Sequence, residues 1–264
     1  METRDLVSII TPNYNCERFI LETIYSVQSQ TYTNWELLIV DDCSTDNSIS
    51  IIKEIARKDD RIRILSNVQN SGAAESRNYA LREAKGKWIA FLDSDDLWMP
   101  LKLERQISFM KCNGYSFSYT NSEYVNEIGE SLGIIETGPQ RVGYFKLLLY
   151  NFLSTCSVMY DKDLIGLIQI PNLKKRNDYA IWLSASKRYP CYLLNENLTK
   201  YRIRESGSLS GKSKGVLSQK KLLLDHYKMF HESEKFNSLA SCIFVGYNII
   251  GYIIKRFLYV KKRK

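Results

Sequence analysis

The stretch WIAFLDSDDLWMP ends an apolar run in three carboxylates, Asp93, Asp95 and Asp96. Crowding like charges costs repulsion that a bound cation relieves. A Mg²⁺ or Mn²⁺ held by one or two carboxylates together with substrate phosphates is the usual arrangement for such a cluster. An aspartate at a strand end is equally a helix cap or a turn former, and a D-x-D on its own is a weak signal. What strengthens this one is a second acidic pair, Asp41 and Asp42, which closes an earlier apolar run and is followed by Ser44, Thr45 and Asp46.

Elements must bring these loops together. Apolar runs of strand length at residues 6–11, 36–40, 62–65 and 88–92 alternate with helical patterns: Phe19, Ile24 and Val27 mark one helix face and Ile49, Ile52, Ile55 and Ala56 another. Strand–helix alternation predicts an α/β fold with a mostly parallel central sheet and flanking crossover helices. The loops TPNYN, DDCSTD and DSDD then all leave carboxyl ends of strands, where open α/β sheets place ligands. Ser44, Asp46 and Asn47 offer caps for the second helix. Further along, GYSFSYTNSEYV reads as a strand, YAIWLSASKRY as a helix, and CYLLNENLTKYRIR as strands with a turn at residues 195–197. Residues 220–231 read as a helix, and residues 239–260 as a mostly apolar segment.

Together VSIITPNYN, ELLIVDDCSTDNS, NSGAAESRNYAL, FLDSDDLW and NDYAIWL, in this order and spacing, resemble the family-two inverting nucleotide-sugar glycosyltransferases of GT-A (Rossmann-like) fold, as found in bacterial O-antigen and capsule synthesis. The likeness runs over about residues 6–210. It implies a nucleoside pocket lined by Pro12, Tyr14 and Asp42, with Tyr14 against the base and the Asp42 carboxylate accepting a hydrogen bond from it. It implies Asn70, Gly72 and Arg77 near the nucleotide, Asp93 on the ribose or sugar, and Asp95, with Asp93, on a Mn²⁺ or Mg²⁺ that bridges the diphosphate. The implied general base is Asp178, whose position in this family usually follows a glutamate; here Asn177 stands instead. A histidine often follows the arginine of the motif matched by YRIR, and Arg204 holds that position, where a fixed cation could clamp the diphosphate, with or without Arg202. Two surface arginines on an edge strand are the plain alternative, and for Asp178 a helix cap.

Composition trims the field. With 264 residues, 44% hydrophobic and 25% charged, the chain can bury a full core and is not disordered. Six cysteines without a C-x-x-C pair argue against a zinc module or disulfide framework. The N-terminal apolar run breaks at Pro12, too early for an export signal. A net charge of +8 and 18 tyrosines raise a nucleic-acid-binding protein as a rival. That protein would show a basic stripe with interleaved aromatics, whereas a carboxylate crevice repels phosphates unless a metal intervenes. No nucleic-acid partner is expected. A catalytically inactive sugar-nucleotide-binding protein would keep the crevice and differ only in turnover. Gly207 to Ser213 nearly spells a phosphate-binding loop but is one residue short between its glycines.

Much of the positive charge lies at the end of the chain, in Lys255, Arg256, Lys261, Lys262, Arg263 and Lys264. The apolar stretch before it, residues 239–254, is shorter than the roughly 20 residues that a spanning helix needs and contains Asn248. The expectation is a catalytic domain over residues 1–215 and C-terminal helices over residues 216–264, with a basic segment lying on the inner face of the cytoplasmic membrane. A helix docked on the domain is the alternative. The expected donor is a UDP-sugar, and the expected acceptor a lipid-linked saccharide on undecaprenyl diphosphate.

Overall fold

The chain, seen here as a computed structural model, is described for residues 5–204 and 216–262. Residues 207–213, Arg263, Lys264 and the expected boundary at residue 215 lie outside the described residues.

The first half alternates as its pattern requires: β1 (Val7–Asn13), α1 (Ile20–Gln28), β2 (Trp35–Asp41), α2 (Ser48–Ala56), β3 (Ile62–Ser66), α3 (Gly72–Glu83) and β4 (Trp88–Phe91). The strands lie in the order β3-β2-β1-β4, all parallel. Every residue of β2 is buried, as is every residue of β1 except Pro12. Strands covered on both faces read as continuous apolar runs, which is why these four are visible in the sequence. Neighbouring residues point to opposite faces, so Ile9, Leu37 and Ile39 pack with α1 and α2, while Ile10, Leu38 and Val40 pack with α3.

Beyond β4 the sheet changes character. The chain continues through β5 (Leu97–Trp98), α4 (Lys102–Asn113), β6 (Phe117–Val125), β7 (Ser131–Glu136), β8 (Arg141–Val142), α5 (Tyr144–Leu149), β9 (Met159–Asp161), α6 (Lys162–Ile165), α7 (Asn177–Ser186) and β10 (Cys191–Arg202). β9 sits antiparallel between β4 and β6, β7 pairs antiparallel with β6, and β10 runs parallel to β6. The all-parallel arrangement therefore belongs to the N-terminal half and a mixed extension to the second. The turn expected at residues 195–197 is absent. β10 runs through it, and its pairing with β6 slips between Leu194 and Asn197 and again between Asn197 and Thr199. The asparagines that signal a turn are spent on a bulge, where the Asn195 side chain accepts from Asn121 at 2.9 Å.

α7 is seated by its aromatic residues. Trp182 is fully buried and meets Phe91 of β4 edge-on at 4.9 Å, and Tyr179 donates to the Leu147 carbonyl of α5. After residue 215 come α8 (Val216–Lys228), a π turn at Met229–Ser233, α9 (Ser238–Leu258) and β11 (Val260–Lys262). Met229 and Phe230 enter the same core, where His226 is buried edge-on to Tyr179. Burial and the nearby Arg176 push the His226 imidazole down to about 4. The apolar segment is a longer helix than residues 239–254 suggest, because Lys255 turns inward to Glu136 of β7 at 2.7 Å instead of ending it. β11 then pairs antiparallel with β7, making Val260–Lys262 part of the central sheet.

Candidate active site

The carboxyl ends of β1, β2 and β4 open on a cavity of about 800 Å³. Pro12, Tyr14, Asp42, Asn70, Gly72, Arg77, Asp93, Asp95, Arg202 and Arg204 all line it, so residues scattered from 12 to 204 converge as expected. Asp178 is not among the lining residues. Sequence reasoning missed Asn13, Gln69, Ser94, Asn172 and Lys174, which also line the cavity. Lys174 is exposed and comes from the loop before α7; the run Lys174–Arg176 is the signal that could have found it.

The two aspartates after β2 divide their work. Asp41 accepts from Asn13 at 2.9 Å and from the Ser44 hydroxyl at 2.6 Å, tying the first two loops together. Asp42 is buried, and its carboxylate accepts from Asn67 at 2.7 Å and from the backbone N–H groups of Ser71 at 2.8 Å and Gly72 at 2.7 Å. It thus holds the start of α3, where Gly72 has φ +86°, a left-handed conformation that side chains avoid. Asn70 donates to the Asp42 carbonyl at 3.0 Å. Tyr14 is half exposed above this floor, its ring accessible to a planar ligand.

The third loop is a lattice of opposed charges. Arg77 of α3 is buried, and its guanidinium bridges the Asp93 carboxylate to the side-chain oxygen of Asn177 on α7. It is bound to protein groups on both sides, while its Nε–H has no partner among the described residues. Asp95 pairs with Arg204 at 3.0 Å; burial first, and then the Asp93 charge, raise its carboxyl above the usual range. Asp96 faces inward, accepting from the Arg202 N–H at 2.9 Å, and burial together with Asp95 and Asp93 pushes it well above that range. Arg202 rivets this corner. It donates to the Asp95 carbonyl at 2.7 Å, to the Glu127 carbonyl and to Glu22 at 2.7 Å, and its side chain is fully buried. These bonds hold the guanidinium against the protein at the cavity lining.

Asp178 stands in the first turn of α7 but caps nothing: the helix start carries no side-chain cap, and the carboxylate accepts from Thr155 at 3.1 Å. Its neighbour Asn177 is the group fixed to Arg77. Asp178 is therefore joined to the cavity through Asn177 and the Arg77 guanidinium, outside the cavity lining.

Asp93 and Asp95 offer hard oxygen ligands suited to Mg²⁺ or Mn²⁺. Each is held on one side by an arginine, and among the described residues no three metal-ligating side chains converge. The pair fits a metal bound jointly with a substrate's phosphates and does not form a complete protein cage.

A family model described as glycosyl transferase family 2 matches residues 8–157. The chain is 39% identical over 262 residues, 98% of each protein, to the Escherichia coli UDP-Glc:alpha-D-GlcNAc-diphosphoundecaprenol beta-1,3-glucosyltransferase WfgD. Its fold is like that of Staphylococcus aureus TarS residues 1–349 in complex with UDP-GlcNAc, with a TM-score of 0.69 at 20% identity over 96% of this chain and 72% of that one. It is also like that of the Pyrobaculum calidifontis mannosyltransferase PcManGT in complex with GDP-Man and Mn²⁺, with a TM-score of 0.65 at 16% identity over 92% and 70%. A parallel β3-β2-β1-β4 core, two acidic loops at its carboxyl edge and these likenesses have one reading: the chain belongs to glycosyltransferase family 2 and has the GT-A fold.

Proposed function

We propose that the chain transfers a hexose or N-acetylhexosamine from a UDP-sugar, with inversion, to a hydroxyl of a saccharide carried on undecaprenyl diphosphate, at the inner face of the cytoplasmic membrane, in assembly of a bacterial surface polysaccharide. The observation that carries this reading is the bridge from Asp93 through Arg77 to Asn177, which couples a donor-side carboxylate to the helix turn bearing Asp178. The E. coli relative supports it, since its name gives a UDP-Glc donor and a GlcNAc-diphosphoundecaprenol acceptor.

The nucleobase lies against Tyr14, and the diphosphate lies toward Asp93, Asp95, Arg204 and Lys174. A Mg²⁺ or Mn²⁺ held by Asp95 and Asp93 would supply Lewis-acid stabilisation of the departing diphosphate. Asp178 accepts the proton of the acceptor hydroxyl, whose oxygen forms a bond to the sugar's C1 as the bond from C1 to the diphosphate oxygen breaks. UDP leaves with the bonding pair. A single displacement turns an α-linked donor into a β-linked product.

The test is a panel of UDP-sugars with a GlcNAc-diphospholipid acceptor, with and without chelator, and product linkage read by NMR. A β-linked product that requires metal is expected. An α-linked product or full activity in chelator overturns the mechanism, and UDP binding without turnover on any acceptor overturns the enzyme.

A further inference from the structure

α9 turns far more apolar surface outward than a helix in water normally does. A surface helix normally turns its apolar stripe to the core and its polar face outward. Here the inward stripe packs the half-buried Phe244 and Val245 on the core, but its fully covered positions are Ser241, Asn248 and Gly251, with Asn248 donating to the Leu148 carbonyl of α5 at 3.0 Å. Gly251 lies so close to Leu149 and Tyr150 that a Cβ would meet the Leu149 carbonyl oxygen at 2.5 Å. The outward side carries Ile243, Ile249, Ile250, Ile253, Ile254 and Phe257, all exposed. The patch continues onto the catalytic half: on α5, packed beside Gly251, Leu149 and Phe145 lie one turn apart, and Phe145 is 82% exposed.

Two further facts identify the partner and its geometry. Between Phe236 and Lys262 there is no Asp or Glu, while Arg256, Lys261 and Lys262 are exposed at the helix's end. Hydrocarbon rimmed by cations matches an anionic bilayer surface, whose headgroups attract basic residues. With 21 residues α9 is about 31 Å long, enough to cross a bilayer. Both its ends return to the same body, however. Phe236, just before α9, packs on the core, and β11, just after it, is hydrogen-bonded to β7. A helix tethered at both ends to one side cannot span.

We infer that the outer face of α9, continued by Phe145 and Leu149 of α5, is a surface that docks in the plane of an anionic membrane, half-embedded and not spanning. This deepens the lipid-linked acceptor reading and rests on it for its purpose. α5 also holds α7 through the bond from Tyr179 to Leu147, so docking brings the element bearing Asp178 to the bilayer surface.

The experiment is co-sedimentation of the full chain with vesicles of phosphatidylglycerol and phosphatidylethanolamine, followed by an alkaline carbonate wash. Wild type should pellet at low salt, partly release at high salt and release fully in carbonate. Phe145→Glu and Ile250→Glu, checked for folding by circular dichroism and UDP calorimetry, should each lower partitioning about tenfold or more. Wild type left in the supernatant overturns the inference, as does carbonate-resistant binding. So does a dimer in vesicle-free buffer that the two glutamates dissociate without changing vesicle binding, since a second copy is then the occupant. If vesicle binding behaves as expected but no lipid-linked saccharide accepts sugar, the surface stands and the acceptor reading falls.

Discussion

The mouth of the cavity and the outer face of α9 break the ordinary partition of side chains in opposite ways. Around the cavity, Arg77, Arg202 and the inward-facing Asp96 are charged groups almost wholly out of water. On α9, isoleucines and Phe257 stand in water while a serine, an asparagine and a glycine are covered. Under the proposed function the first inversion serves a diphosphate with its cation, and under the membrane inference the second serves hydrocarbon. Where a fold departs from the hydrophobic-inside rule, the sign of the departure states the chemistry of what binds.

If the buried charges serve a ligand, removing one should damage turnover far more than folding. Asp95→Asn should lower the transfer rate by about 10²–10³-fold, the scale for losing one preorganised electrostatic group, with an unchanged far-ultraviolet spectrum. A variant that unfolds or stays active breaks the comparison at once. Asp178→Asn, outside the cavity, should lower kcat by about 10²-fold and leave UDP affinity as it was in calorimetry. Lost UDP binding with intact turnover would make Asp178 a donor-site residue. Tyr14→Ala should weaken UDP by about 3- to 10-fold, the worth of one aromatic contact; equal affinity would put the base elsewhere.

Lys102, at the start of α4, sharpens the comparison because it is a buried charge away from the cavity. It is fully covered, its ammonium position lies 3.8 Å over the Trp98 ring, and burial lowers it to about 7 from its ordinary value near 10.5. Between those values the unfolded chain binds a proton that the folded chain releases. The penalty on folding is therefore absent above about pH 10.5, grows as the pH falls, and is complete below about 7. Lys102→Met should raise the melting temperature by a few degrees at pH 7, with the gain shrinking toward pH 10. A constant gain across that range would mean that packing, not charge, is responsible.

The first four strands and their acidic loops were legible because residues covered on both faces must be apolar and the loops that leave them must not. Asp42 and Gly72 were legible as a pair in one crevice, though not that the carboxylate would hold the backbone of the glycine. Lys174 escaped because a loop reaches the cavity without periodicity to announce it. β11 escaped because Val260–Lys262 looks like a solvated basic tail, and only the position of β7 makes it a strand. The facing of α9 could not be read either. Hydropathy ranks the whole helix as apolar, while its orientation is set by Asn248 finding a carbonyl and Gly251 allowing close approach.

The pairing of β11 with β7 has a consequence for how the chain reaches its fold. Until β11 arrives, β7 is a sheet edge carrying Ile134 and Ile135, with unpaired backbone groups able to template another chain. The strand that covers it is separated from it by most of the second half of the sequence, a contact that forms slowly because a long loop must close first. Once in place it presents Lys261 and Lys262 at the rim, charges that discourage a further strand from adding. The newly made protein thus passes through an interval in which its greatest hazard is self-association along that open edge.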